Sequence, residues 1–306
     1  MGIQRVESVV YGVEDMAESK RFFTDFGLTL VSERPEEIVL EAQSGGSIVL
    51  RPIDDPTLPA SVEEGPGIRE IVWGVDTQEA LEAIVARVAV DREVVERDGA
   101  HHFFDETGWG TALTIARPKA IEHPIRRYNR TGRVERVNEP QTHIEQVRPF
   151  RVCHVALNIP KEGREEAWRF YTERLGFVAT DIVEKMGIFL RAPQDEDQHT
   201  FLLCHRPDKA GTNHTSYEVA GFDDVIEGVN AMVEKGWRES RRLGRHTIGS
   251  NVFRFVQAPC GGRVELAADM DRVDETYGPN YYEDTPPHHI YTLAMNRDQA
   301  DEGVNG

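Results

Sequence analysis

Cysteine is scarce: Cys153, Cys204 and Cys260 are the three in 306 residues, with neither a CxxC pair nor any paired spacing. They imply no disulfide framework and suit a reducing compartment, so the expected location is the cytoplasm. Long apolar runs are missing too. None approaches the roughly 20 residues that cross a bilayer, and the start Met1-Gly2-Ile3-Gln4-Arg5 lacks the apolar core of a signal peptide, so neither membrane nor export is expected. Basic charge is in deficit, with 35 Lys and Arg against 53 Asp and Glu and a formal net charge of −18. A nucleic-acid partner needs a basic surface that this balance does not supply. The same balance would repel an anionic small molecule unless a local basic patch receives it. What is present, 39% apolar and 29% charged residues in 34.6 kDa, is a soluble globular composition with room for two domains.

The chain repeats itself. Arg21-Phe22-Phe23-Thr24-Asp25-Phe26-Gly27-Leu28 follows a strand-like run and the acidic turn Val13-Glu14-Asp15. Arg169-Phe170-Tyr171-Thr172-Glu173-Arg174-Leu175-Gly176-Phe177 follows a strand-like run and the turn Pro160-Lys161-Glu162-Gly163. Aromatic pairs in a charged helical pattern, closed by glycine, describe an amphipathic helix packed on a sheet. Strand signals come next, at 37–42 and 47–52 in the first copy and at 187–192 and 200–204 in the second. A weaker version recurs: strand 68–75, helix 77–88 and strand 111–116, then strand 214–219, helix 223–235 and strands 252–258 and 263–268. Four βαββ(β) modules, paired into two halves, account for most of the chain. The segment 119–147 has no periodicity and reads as a surface connection. Residues 271–306 form a polar tail with Pro279, Pro286, Pro287 and four tyrosines, expected to cover a face or a subunit contact, its last ten residues disordered.

His154, His214 and Glu265 each sit in an apolar strand-like run. Taken singly, a histidine there is more often a satisfied core residue than a ligand. A lone carboxylate between Val264 and Leu266 is different, because it must find solvent or a charge partner. The three lie too far apart for any local helix or knuckle to unite them, so only a sheet curling back on itself could. If they meet, two imidazoles and one carboxylate occupy one face of a metal and leave three positions open, the ligand set of non-haem Fe(II) oxygen chemistry.

These residues resemble the type I extradiol ring-cleavage dioxygenases of the vicinal oxygen chelate superfamily over roughly residues 3–270, most sharply at 152–177, 197–219 and 241–270. The resemblance implies an α+β fold of two domains, each a pair of βαβββ modules forming an open barrel-like cup. Residues 1–118 would be a cup without metal, 119–147 a connecting segment, 148–270 the metal-binding catalytic cup and 271–306 the tail. Aligning the two halves on their own repeats puts Ser8, Glu70 and Ala112 opposite His154, His214 and Glu265. The first cup therefore lacks a ligand set, which disfavours a glyoxalase-like isomerase drawing ligands from both paired modules.

The same resemblance implies Fe(II), with Mn(II) possible, held by His154, His214 and Glu265. The substrate would be a catechol-like aromatic, opened by O₂ beside one of its two hydroxyls. His199 matches the acid–base histidine, which takes a substrate proton and later returns it. His246, in Gly244-Arg245-His246, matches the residue that hydrogen-bonds the substrate hydroxyl. Arg241 matches a position that meets a substrate carboxylate in some relatives, and with Arg242 and Arg245 would make the local basic patch. His205 is a poorer match and reads as structural. Phe255 is a departure, since relatives carry a tyrosine there. Losing that phenol removes a hydrogen bond worth about 1–3 kcal/mol to a charged partner. Two other readings stay open: a metal-dependent hydrolase or isomerase on the same cup, and a non-catalytic small-molecule-binding or resistance protein. A homo-oligomer, dimer or tetramer, is expected.

Overall fold

The structure, a computed structural model, describes residues 1–294. The last ten residues, expected to be disordered, lie outside the described residues. Four βαβββ modules follow one another. The first is β1 (Ile3–Val13), α1 (Met16–Asp25), β2 (Thr29–Arg34), β3 (Glu37–Glu41) and β4 (Ser47–Pro52). The second is β5 (Gly67–Val75), α2 (Gln78–Val88), β6 (Val95–Arg97), β7 (Ala100–Phe104) and β8 (Gly110–Ile115). The third is β9 (Val152–Pro160), α3 (Arg164–Arg169) running on as a π-helical turn (Phe170–Leu175), β10 (Val178–Val183), β11 (Gly187–Arg191) and β12 (Phe201–Arg206). The fourth is β13 (Gly211–Glu218), α4 (Phe222–Glu234), β14 (Glu239–His246), β15 (Val252–Gln257) and β16 (Arg263–Ala268). The tail adds β17 (Asn280–Tyr282) and β18 (His289–Thr292).

Local chemistry starts the first two helices. Asp15 accepts from the Glu18 amide at 2.8 Å and Thr77 from the Ala80 amide at 3.2 Å, each satisfying a donor the first turn leaves free. The aromatic pair Phe22 and Phe23 is fully buried on the sheet side of α1. Aromatic contacts then join the halves: Trp73 meets Phe177 and Phe201 edge-on at 4.9 and 5.3 Å, and Phe22 meets Trp237 at 5.0 Å. One hydrophobic core runs through both halves.

The two sheets share a strand order. The first runs β2-β3-β4-β1-β5-β8-β7-β6, and the second repeats it as β10-β11-β12-β9-β13-β16-β15-β14. Their registers correspond as well. Ser8, Val72, Ala112 and His102 are successive cross-strand partners in the first sheet, and His154, Ser216, Glu265 and Phe255 are in the second. Cross-strand partners project from the same face, so each row points into its own cup. Backbone pairing thus puts Ser8 and Ala112 at the places of His154 and Glu265, as the repeat alignment expects. Glu70, two residues before Val72, holds the place of His214 and bonds His102 at 2.8 Å.

The halves differ at their edges. Residues 119–147 are mostly exposed and contain one bridge, between Arg130 and Arg133. Arg126 pins this connection to Asp224 at the start of α4, at 2.7 and 2.6 Å. The tail adds a strand at each end of the second sheet, β17 parallel to β10 and β18 antiparallel to β14. Between them Thr285, Pro286, Pro287 and His288 cross the mouth of the second cup and line its cavity. Among the described residues, no helix is long and apolar enough to cross a membrane.

Candidate metal centre

Three adjacent central strands deliver the triad: His154 from β9, His214 from β13 and Glu265 from β16. His154 Nε2 lies 3.0 Å from His214 Nε2 and 3.1 Å from Glu265 Oε2, and His214 Nε2 is 3.6 Å from the same oxygen. Nitrogen and oxygen ligands about 2.1 Å from a first-row ion, at right angles to each other, stand about 3.0 Å apart. The observed triangle fits one face of such an ion. Glu265 is wholly inaccessible to solvent, and its Oε2 has no aligned hydrogen-bond donor. A buried, unpaired carboxylate oxygen aimed at two imidazole nitrogens needs a cation.

The surroundings set the ligand protonation. His214 Nδ1 donates to Asn213 Oδ1 at 2.9 Å, which leaves Nε2 as the lone-pair atom. Asn213 is oriented in turn, since its oxygen also accepts from Arg263 Nη2 at 2.9 Å and its amide donates to Asn158 at 3.1 Å. Glu265 Oε1 accepts from Asn251 Nδ2 at 3.3 Å. Burial opposes ionisation of Glu265, but the adjacent His154 and His246 rings outweigh it and hold the carboxyl well below its usual range. Burial pushes His214 well below the usual histidine value, keeping the imidazole neutral as a ligand must be. Replacing Asn213 by leucine should lower metal affinity about 10–100-fold, read by competition with a chelator.

These shifts contribute a pH dependence of definite sign to the apoprotein. His199 and His214 both have folded values below the unfolded value of about 6.5, chiefly through burial. Their neutral, buried state supports folding fully above that value and loses ground as pH falls towards the depressed folded values. Glu265, held low in the fold, adds a further loss at more acidic pH. Asp105 and Asp197, raised by burial to about 6 and about 7, act in the opposite direction, so the histidine contribution is read as a difference: between pH 7.5 and pH 5.5 the thermal midpoint of His199→Phe apoprotein should fall less, or rise more, than that of the parent, and an identical change in the two contradicts the assignment.

His199 stands beside the triad, its ring centre 4.5 Å from that of His154. Gln198 Nε2 bonds Asp181, which turns Gln198 Oε1 towards His199 Nδ1 at 2.6 Å. Nδ1 therefore carries the hydrogen and Nε2 is bare. Asp181 is itself held by tail residues, Tyr277 and Asn280, each at 3.2 Å. Gly249, at φ +82°, lets the turn after β14 close over this ring, because a Cβ there would lie 3.2 Å from His199 Cε1 and 2.9 Å from Met270 Sδ.

His246 closes another side. It stacks on Phe253 at 4.0 Å, and its Nε2 is 3.6 Å from Glu265 Oε1. Phe255 meets His214 edge-on at 5.1 Å and lies beneath two guanidiniums, Arg241 at 5.3 Å and Arg263 at 5.1 Å. Burial lowers Arg241, and burial with the neighbouring Arg241 pulls Arg263 down to about 10. A cavity of about 340 Å³ reaches these groups, with Met186, Phe189, Leu202 and Ile248 as its apolar wall.

The expected basic patch is only partly right. Arg241 lines the cavity, but Arg242 does not, and Arg245 donates instead to Ser250 O and Asp269 at 2.6 and 2.9 Å. Neighbours on a strand point to opposite faces, so Arg242 is turned away from the cup that Arg241 enters. The companions of Arg241 are Arg206 and Arg263. Arg263 was legible in principle, being two residues from Glu265 on one strand. His205 bonds the Glu184 carbonyl at 2.9 Å outside the cavity, a structural role.

Residues 151–266, spanning the triad, match the family described as the Glyoxalase/Bleomycin resistance protein/Dioxygenase superfamily. That match covers the second cup, the half that carries the His-His-Glu site. The chain is 27% identical over 282 residues to metapyrocatechase 2 of Cupriavidus necator, covering 89% of this chain and 82% of that protein. Among solved structures it resembles the 2,3-dioxygenase LapB of Pseudomonas sp. KL28, at TM-score 0.72 and 17% identity, over 92% of this chain and 98% of the other. It also resembles a Mn(II)-bound glyoxalase of Novosphingobium aromaticivorans, at TM-score 0.71 and 23% identity, over 94% and 88%.

Proposed function

We propose that this protein is an extradiol dioxygenase that uses Fe(II) to open a catechol-like ring with O₂. The observation that carries the reading is the triad on one face of a cavity, with the bare Nε2 of His199 beside it. Held by His154, His214 and Glu265, Fe(II) would supply the Lewis acidity that favours an ionised diol and the one-electron chemistry that lets an aromatic ring react with O₂. The ring C–C bond next to the diol breaks, both atoms of O₂ enter the product, and a semialdehyde acid results.

The chain's own residues handle protons, charge and water. His199 Nε2 takes the proton of one substrate hydroxyl and returns it later. His246 offers a hydrogen bond to the diol edge from the opposite wall. Phe255 supplies no phenol there, so it excludes water and carries the two guanidiniums. Phe189, Leu202 and Ile248 give the ring an apolar seat. The first cup contributes scaffold alone. Unpaired, buried cysteines support a cytoplasmic setting, and we infer a homo-oligomer.

Phe255 favours one rival, a metal-dependent isomerase or hydrolase that needs no phenol. Anaerobic Fe(II) reconstitution followed by catechols and O₂ separates the two. Oxygen uptake with a yellow ring-fission product supports the dioxygenase; tight metal binding without oxygen uptake on any catechol sinks it.

A further inference from the structure

His199 is held by side chains that lie outside the cavity it lines. Gln198 is wholly buried, and neither it nor Asp181 faces the cavity. The Gln198 amide nitrogen carries two hydrogens, and both are placed: one on Asp181 Oδ2, the other on Thr180 Oγ1 at 3.1 Å. Thr180 donates its own hydrogen to the Phe189 carbonyl at 3.2 Å, so towards Gln198 its oxygen only accepts. An ionised carboxylate only accepts as well. A flipped amide would set its carbonyl oxygen against those two acceptors, so one orientation survives. That orientation aims Oε1 at His199 Nδ1, 2.6 Å away.

The carboxylate is fixed in its turn from the tail. Asp181 is buried on β10, and the parallel pairing of β17 with β10 sets Asn280 beside it. Asn280 Nδ2 donates to Asp181 Oδ1 and the Tyr277 hydroxyl to Oδ2, each at 3.2 Å. With Gln198 this makes three donors on one buried carboxylate, a network that is costly unless its members are satisfied. Asp181 and Gln198 are 17 residues apart, and the tail donors lie 96 and 99 residues beyond Asp181. Three distant segments thus converge on one imidazole. We propose that Asp181 is a positioning residue for the ring-opening reaction: through Gln198 it fixes which nitrogen of His199 carries the hydrogen, and Tyr277 and Asn280 of the tail hold Asp181 in place for it.

This rests on the dioxygenase reading and adds to it groups that lie outside the cavity. A neutral imidazole carries its hydrogen on one nitrogen or the other, as its partners dictate. With the hydrogen on Nε2, His199 would aim a donor at the substrate hydroxyl and could not take that proton. The Gln198–Asp181 pair removes this form, because a bare Nδ1 would then face the Oε1 lone pairs at 2.6 Å. No proton travels to Gln198 or Asp181; the amide between base and carboxylate passes on orientation alone. The tail thereby acts on the base from outside the cavity, apart from its residues 285–288, which cross the mouth of the cup.

The test reads the tautomer itself. In full-length protein loaded with diamagnetic Zn(II), histidine nitrogen NMR, assigned with His199→Phe, should show residue 199 with hydrogen on Nδ1 and a bare Nε2. In Asp181→Leu the two forms should mix or invert, and in Tyr277→Phe combined with Asn280→Leu they should mix to a smaller extent. On Fe(II)-loaded protein with catechol, kcat should drop about 10²-fold in Asp181→Leu, with KM within about twofold and iron content unchanged. Asp181→Asn keeps an oxygen for Gln198 and should restore the parent NMR pattern and part of the rate. An Asp181 that only ties β10 to β17 would lower the thermal midpoint when replaced and leave the tautomer unchanged; that result overturns the assignment. Hydrogen on Nε2 in the parent protein overturns it too, and needs no variant to fold. If no diol consumes O₂ in the parent, the dioxygenase reading fails by itself, and the NMR pattern still decides whether Asp181 sets His199.

Discussion

His214→Ala protein, reconstituted anaerobically with Fe(II) and desalted, should retain almost no iron, and its ring-cleavage rate should fall to background. The change removes one corner of the triangle of atoms 3.0–3.6 Å apart. It leaves Glu265 buried with an unpaired oxygen and one imidazole. Loss of a residue that only orients a ligand costs 10–100-fold in affinity, so loss of the ligand itself should exceed about 100-fold. The small side chain leaves the β13 backbone and its pairing with β9 and β16 intact. Far-ultraviolet dichroism should therefore match the parent protein. Full activity in folded, iron-free His214→Ala protein would remove the triad from the mechanism.

The second large effect separates metal from proton. His199→Phe should hold iron as the parent does, since residue 199 is not among the ligands, and turnover should drop about 10²–10⁴-fold. The chain from Asp181 through Gln198 to His199 fixes the hydrogen on Nδ1 and bares Nε2. Burial, then His154, holds His199 well below its usual value, so the neutral base is present at neutral pH. Rapid mixing of the anaerobic substrate complex with O₂ should show substrate binding retained and oxygen consumption slowed. Unaltered turnover would mean that solvent moves the proton and His199 only packs.

Much of the fold was legible because the central strands of each half are buried on both faces and read as apolar runs. β5 is buried along its whole length and β9 nearly so. The outer strands escaped notice for the opposite reason. β14 reads Glu-Ser-Arg-Arg-Leu-Gly-Arg-His and β6 is exposed at all three residues, so neither alternates in the way a half-buried strand does. The ligand triad was legible because a carboxylate inside an apolar strand demands an explanation. Arg206 gave no such signal, since a single arginine at a strand end is ordinary until register shows what it faces, whereas the spacing of Arg263 from Glu265 on one strand could have revealed it. The tail's path could not be read either, because its strands are three and four residues long and complete a sheet built elsewhere.

That tail also settles which strand edges another chain can reach. An unpaired edge offers a row of free amides and carbonyls to any passing strand. In the second sheet both such rows are taken, and the strands that take them are short, with Pro279, Pro286 and Pro287 close by. Among the described residues, the first sheet has no equivalent cover. Its edge strand β2 spans six residues, with Leu30 and Val31 exposed at 41% and 57%. Strand-to-strand assembly, productive or aggregating, is thereby steered to the half that carries no metal ligands, away from the strap over the catalytic cup.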